Sequence, residues 1–168
     1  MASSHSHTTA HSFSFTSIDG APLPLSSLAG KVVLVVNTAS ECGFTPQYKA
    51  LQDLHDRFQA RGLVVVAVPS NDFGKQEPGS AEEIKEFCGG TFGVNFPMTE
   101  KCCVKGNQAH PFYKWAAKEL GFIAKPRWNF HKFLIGPDGQ LVTWFAPPTS
   151  PASNRVNKAI NGLLADVR

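Results

Sequence analysis

Lys31-Val-Val-Leu-Val-Val-Asn37 and Leu63-Val-Val-Val-Ala-Val68 are uninterrupted runs of mostly β-branched residues. A strand that is apolar at every position must be covered on both faces, which is the situation of strands in a parallel sheet. Parallel neighbours need a crossover, and the segment between the runs supplies a helix. Thr45 and Pro46 offer cap and first-turn residues, and Tyr48, Leu51, Leu54 and Phe58 follow at helical spacing until Gly62. The result is a β-α-β unit with Cys42 in the loop that enters the helix.

Downstream, Ser80-Ala-Glu-Glu83 forms a capping box ahead of Ile84 and Phe87, so a second helix starts at about 81 and carries Cys88 near its end. A third helical segment lies around 110–119. Phe130 to Ile135, the turn Gly136-Pro-Asp-Gly139 and Leu141 to Phe145 read as a hairpin. Pro147, Pro148 and Pro151 break the chain before a last helix with Val156, Ile160, Leu163 and Leu164 on its apolar face. Phe13, Phe15 and Ile18 begin a strand-like alternation, expected as part of an N-terminal β-hairpin, and residues 1–11 read as a flexible tail. This order predicts an α/β, thioredoxin-like fold with a central mixed sheet flanked by helices, in one domain over 12–168.

Composition narrows the function. With 42% hydrophobic and 17% charged residues, 168 residues suffice for one core and are too apolar for disorder. The net charge of +3 is spread without a basic run, so no nucleic-acid or anionic-lipid footprint is expected. No apolar run approaches the ~20 residues of a membrane span, and the first residues do not resemble a signal peptide, so a cytoplasmic location is expected. Four cysteines, at 42, 88, 102 and 103, are too sparse for a disulfide-stapled domain and point to chemistry in a reducing compartment.

A cysteine is nucleophilic as its thiolate, which the unpaired amides and partial positive charge of a helix N-terminus stabilise. Cys42 in Asn37-Thr-Ala-Ser-Glu-Cys-Gly-Phe-Thr-Pro46 occupies such a place. Position alone weighs equally for a small hydrophobe packed in the core.

Three ordered segments decide between these readings. Asn37 to Pro46, Pro69-Ser-Asn-Asp-Phe-Gly-Lys-Gln-Glu-Pro-Gly79 and Arg127-Trp-Asn-Phe-His-Lys-Phe-Leu-Ile135 resemble the three signatures of the glutathione peroxidase family, and the similarity covers roughly residues 12 to 166. The resemblance implies a thioredoxin fold that reduces hydrogen peroxide and organic hydroperoxides, with Cys42 activated by Trp128 and Asn129. Both side chains carry N–H donors suited to a thiolate or a departing oxygen. Asp72 departs from the pattern, since the family usually has Gln there. An ionised Asp offers no donor, so it is held protonated, turns away, or leaves the task to Trp128, Asn129 and backbone amides. The thioredoxin-dependent branch of the family implies that Cys88 resolves the Cys42 sulfenic acid, with thioredoxin or glutathione as reductant. A Cys42–Cys88 disulfide needs Cα atoms within ~7 Å, so the second helix would unwind, which Gly89 and Gly90 favour. By the same resemblance, the short chain between Trp115 and Trp128 lacks a loop found in tetrameric members, implying a monomer or weak dimer.

Cys102 and Cys103 are adjacent, a spacing unsuited to a mutual disulfide or a common zinc pattern, and are read as incidental or as alternative resolving thiols. No metal or cofactor is expected. Without a C-x-x-C around Cys42, a copper chaperone or a disulfide reductase is disfavoured. A peroxide sensor that relays oxidation to a partner protein would use the same Cys42.

Overall fold

The computed structural model describes residues 8–165 and 167. Strands β1 (Ser14–Thr16) and β2 (Pro22–Pro24) pair antiparallel as a small N-terminal hairpin. The main sheet holds β3 (Val32–Thr38), β4 (Leu63–Pro69), β5 (Lys132–Ile135) and β6 (Leu141–Phe145) in the order β4-β3-β5-β6. β3 runs parallel to β4 and antiparallel to β5, and β6 is antiparallel to β5. Helices are α1 (Gln47–Phe58), α2 (Ala81–Phe92), α3 (Pro111–Leu120) and α4 (Asn154–Leu164).

The side-chain alternation of β3 builds two cores. Val32, Leu34 and Val36 pack with α1, α2 and α4 through Leu51, Ile84 and Ile160. Val33 and Val35 pack on the other face with α3 and the hairpin through Phe112 and Phe15. All seven residues of β3 and of β4 are buried, as continuous apolar runs require. The sheet is therefore a mixed layer between helices, the thioredoxin-like arrangement expected.

Three local expectations shift. Ala10, inside the expected tail, is fully buried; it sits in a 3₁₀ turn at Ala10–Ser12 and donates its N–H to the Gly139 carbonyl at 2.9 Å. Residues 1–7 of that tail lie outside the described residues. α2 continues past Cys88 through Gly89 and Gly90 to Phe92, because Gly93, at φ 64°, closes it in the left-handed conformation. Thr45 does not cap α1, which has no side-chain cap; its hydroxyl serves the loop before the helix, as described below.

Lys132 anchors the sheet to the chain that follows it. Its side chain is completely buried, and Nζ donates to the carbonyls of Thr149, Pro147 and Ala146 at 2.7, 3.0 and 3.4 Å. Pro147 also accepts from Gln47 Nε2 at 2.7 Å, in the first turn of α1. Burial pushes the ammonium down to about 7. Lys132→Met removes the donor from buried carbonyls and is expected to cost about 2–4 kcal/mol in urea unfolding. Between about pH 7 and 10 the unfolded lysine holds a proton that the folded one has shed, so this group's contribution to stability rises with pH. The parent should therefore gain stability over that interval relative to Lys132→Met.

Candidate active site

Cys42 follows β3 and precedes α1, and tight turns hold the loop between them. Thr45 N–H donates to the Cys42 carbonyl at 3.0 Å, and Gln47 N–H to the Phe44 carbonyl at 2.8 Å. The Thr45 hydroxyl accepts from Cys42 N–H and donates to the Ala39 carbonyl, each at 2.9 Å, pinning the loop from inside. Phe44 N–H donates to Cys42 Sγ at 3.3 Å. An amide aimed at sulfur stabilises negative charge there. Cys42 is 7% exposed and its thiol is free.

Two other loops close around this one. Glu41 N–H donates to the Gln76 carbonyl at 3.0 Å, which joins the Cys42 loop to the segment 69–79. Gln76 Oε1 accepts from Asn129 Nδ2 at 3.1 Å, and the Phe73 carbonyl accepts from the same nitrogen at 3.3 Å. Asn37, near the end of β3, donates from Nδ2 to the Trp128 carbonyl at 3.0 Å, and its own carbonyl accepts from Phe130 N–H at 2.6 Å. The three sequence segments thus meet at one end of the sheet. Phe130 at φ 68° and Lys75 at φ 51° hold left-handed conformations unusual for side chains of their size, beside Gly74 at φ 66°. A Cβ on Gly74 would stand 2.8 Å from Trp128 Cη2, so the loop and the indole are in close contact.

The site residues expected from sequence fare differently. Trp128 is half-buried, with its ring centroid 6.2 Å from that of Phe73. Asn129 is fully buried, and its amide N–H groups brace the 73–76 loop. Asp72 turns to a different loop, where Oδ2 accepts from the amides of Val104 at 2.6 Å and Lys105 at 3.2 Å. Of the alternatives open for Asp72, turning away is the one its contacts describe. Cys88 is 1% exposed and packs with Ile84 in the core beneath α2. Burial pushes its thiol up to about 11, partly countered by the Tyr48 hydroxyl. A cleft of about 210 Å³ lined by Ser40, Glu41, Glu77 and Phe87 separates the Cys42 loop from α2.

Cys102 is half-buried and Cys103 exposed, both with free thiols. Burial raises the Cys102 thiol to about 11. Burial also raises the Cys103 thiol, and the Asp72 carboxylate adds to that.

Sequence reasoning passed over Asn37, Gln76 and Glu77. Glu77 is 1% exposed; burial pushes its carboxyl up against the opposing hydrogen bonds from Ser40. Its N–H donates to Asn71 Oδ1 at 2.9 Å. The available signal was their place inside the quoted segments, where a polar residue closing a buried strand or flanking a Pro-Gly turn commonly ties loops together.

The family described as Glutathione peroxidase matches residues 10–117. "Glutathione peroxidase-like peroxiredoxin GPX5" of Chlamydomonas reinhardtii is 45% identical over 155 residues, 90% of this chain and 96% of that protein. "Hydroperoxy fatty acid reductase gpx1" of Synechocystis is 45% identical over 151 residues, 85% of this chain and 89% of that protein. The crystal structure of T. cruzi GPX1 superposes with a TM-score of 0.78 at 29% identity, covering 96% of this chain and 99% of that one. With its free Cys42 at the meeting point of three loops and these relatives along nearly its whole length, the chain belongs to the glutathione peroxidase family.

Proposed function

We propose that this protein is a thiol peroxidase that reduces hydrogen peroxide and organic hydroperoxides through Cys42. The thiolate attacks the terminal peroxide oxygen, the O–O bond breaks, the sulfur becomes a sulfenic acid, and the remaining oxygen takes a proton and leaves as water or alcohol. The observation that carries this reading is the Cys42 sulfur facing the Phe44 N–H where the three loops meet. Trp128 serves as the side-chain donor at the rim, and Asn129, whose N–H groups are spent on Phe73 and Gln76, holds that rim in place. Asp72 has no direct part, consistent with its bonds to Val104 and Lys105.

Cys88 completes the cycle. Its thiol attacks the sulfenic sulfur, a Cys42–Cys88 disulfide forms, and water departs; thioredoxin, or else glutathione, supplies the two electrons that restore both thiols. The names of the relatives, a peroxiredoxin and a hydroperoxy fatty acid reductase, support this chemistry. A monomer or weak dimer acting in the cytoplasm against oxidative stress is the setting it fits, since four free cysteines suit a reducing compartment.

The test is peroxide turnover coupled to NADPH through thioredoxin and its reductase, or glutathione and its reductase. Cys42→Ser should abolish turnover with either donor. Cys88→Ser should abolish thioredoxin-coupled turnover while still consuming one equivalent of peroxide. A parent whose Cys42 oxidises but which turns over with neither donor would instead be a peroxide sensor.

The pH dependence of resolution reports the state of α2. A thiol raised to about 11 is almost wholly protonated at neutral pH, so an attack from within the folded helix would accelerate about tenfold per pH unit until near 11. If α2 opens first, Cys88 titrates as an ordinary cysteine and the rate levels off near ~8.5. Stopped-flow measurement of disulfide formation is expected to show the lower inflection.

Gly74→Ala would push a Cβ against Trp128 at a backbone position with positive φ. It is expected to slow Cys42 oxidation by about 10- to 100-fold, at a stability cost of about 1–2 kcal/mol. Rapid-mixing fluorescence and urea unfolding measure the two effects.

A further inference from the structure

Lys132 does more than anchor the sheet, because one of the carbonyls it holds is shared with the helix that follows Cys42. Its Nζ donates to the Pro147 carbonyl at 3.0 Å, and Gln47 Nε2 donates to the same oxygen at 2.7 Å. Gln47 in turn holds the Cys42 loop. Its backbone N–H donates to the Phe44 carbonyl at 2.8 Å, and the N–H of Phe44 is the one aimed at Cys42 Sγ, at 3.3 Å. A continuous run of hydrogen bonds, linked through the backbones of Gln47 and Phe44, therefore leads from the buried ammonium to the sulfur.

The ends of this run belong to different halves of the site. Lys132 opens β5, directly after the segment of Trp128 and Asn129, and Gln47 opens α1, directly after the Cys42 loop. A second contact braces the same pair of segments: the Phe130 and Tyr48 rings meet edge to face with centroids 5.3 Å apart. Gln47 Oε1 is buried without a partner, so the amide gives its nitrogen to Pro147 while its own oxygen goes unpaired. Burying an ammonium costs free energy, and one role for such a group is to fix a single arrangement of the chain around it. Three carbonyl oxygens, those of Ala146, Pro147 and Thr149, converge on Nζ. The three N–H bonds of an ammonium match them, whereas a neutral amine has one too few.

We propose that Lys132 and Gln47 are positioning residues for Cys42: through the shared Pro147 carbonyl they set the first turn of α1, and with it the Phe44 N–H, against the sulfur. The proposal rests on Cys42 being the reactive thiol of the peroxidase reading, and adds two residues that touch neither the sulfur nor its oxidant. Burial brings the ammonium down to about 7, so its third donor is lost close to neutral pH. The groups around it keep their charge there. His131, the preceding residue, is stacked on Trp144 and pushed down to about 4 by burial. Tyr48, beside Gln47 on α1, is pushed well above its usual range by burial. From α4, the Arg155 guanidinium lies 5.7 Å from the ring centre of Phe145, the partner of Lys132 on β6, and β3 presents Val36. The ion pairs among the described residues, Lys49–Asp53 and Lys85–Asp19, do not involve Lys132.

The test follows Cys42 in the reduced full chain by two reactions. One is oxidation by hydrogen peroxide, read by rapid-mixing fluorescence; the other is alkylation by iodoacetamide, read on the Cys42 peptide by mass spectrometry. Lys132→Met and Gln47→Met should each slow both reactions by about tenfold at neutral pH. Since both act through Pro147, the double variant should be little slower than either alone. Leu25→Ala, in the opposite core, should lose stability as Lys132→Met does and leave the Cys42 rates in place. The pH profile separates positioning from stability. The parent gains stability over Lys132→Met above about pH 7, whereas its rate advantage at Cys42 should be largest near about pH 6 and shrink as the third donor is lost. A rate advantage that grows with pH would overturn the proposal. So would unchanged Cys42 rates in Gln47→Met, additive losses in the double variant, or an equal loss in Leu25→Ala. Should Lys132→Met fail to fold, Gln47→Met decides alone, since its half-buried side chain leaves the ammonium in place. Alkylation that depends on both residues in a protein that reduces no peroxide would sink the peroxidase reading and leave the positioning role standing.

Discussion

The end of β3 at Asn37 is the point on which the candidate site depends. Its carbonyl holds Phe130 N–H, its side-chain amide holds the Trp128 carbonyl, and its N–H reaches the His131 carbonyl at 3.3 Å. Asn37 is fully buried, so these bonds form where water competes least and an unpaired partner costs most. They fix the strand that brings in Trp128 beside the strand that leads out to Cys42. The left-handed Phe130 shows the strain that this junction over-determines.

From that junction the order passes outward through loops. Asn129 holds Gln76, and Gln76 holds Glu41, the neighbour of Cys42, so the Cys42 loop is positioned by a relay of amides. Glu77, Asn129 and Asn37 each keep a buried oxygen without a hydrogen-bond partner. Unsatisfied buried polar atoms are rare in a fold and gather where function outranks stability.

Much of the fold was legible because its determinants are local. The β-branched runs of β3 and β4, the capping box of α2 and the Gly-Pro-Asp-Gly turn before β6 each carry their instruction within a few residues. The capping box is present in full, with Ser80 Oγ accepting from Glu83 N–H and Glu83 Oε1 accepting from Ser80 N–H. The site was legible as a set of segments and not as a set of contacts. Thr45 looked like a cap because its type and place fit one, yet its hydroxyl is taken by Ala39 and Cys42. Asp72 is turned by amides more than thirty residues downstream, a partner no local pattern announces. Lys132 sits at a strand position where a charge would ordinarily face water, and only the return of residues 146–149 over the sheet makes its burial possible.

The two ends of α2 are built unequally. Its amino end has reciprocal caps and the favourable charge of Glu82 and Glu83, whereas its carboxyl half includes Gly89 and Gly90, each about 1 kcal/mol poorer than alanine in a helix. The bonds from Gly93 and Val94 that close the helix end on the carbonyls of Gly89 and Cys88. The glycine-containing carboxyl turns of α2 are therefore less strongly held than its reciprocally capped amino end. Cys88 lies immediately before Gly89 and Gly90, so it borders the part of the helix least invested in staying folded.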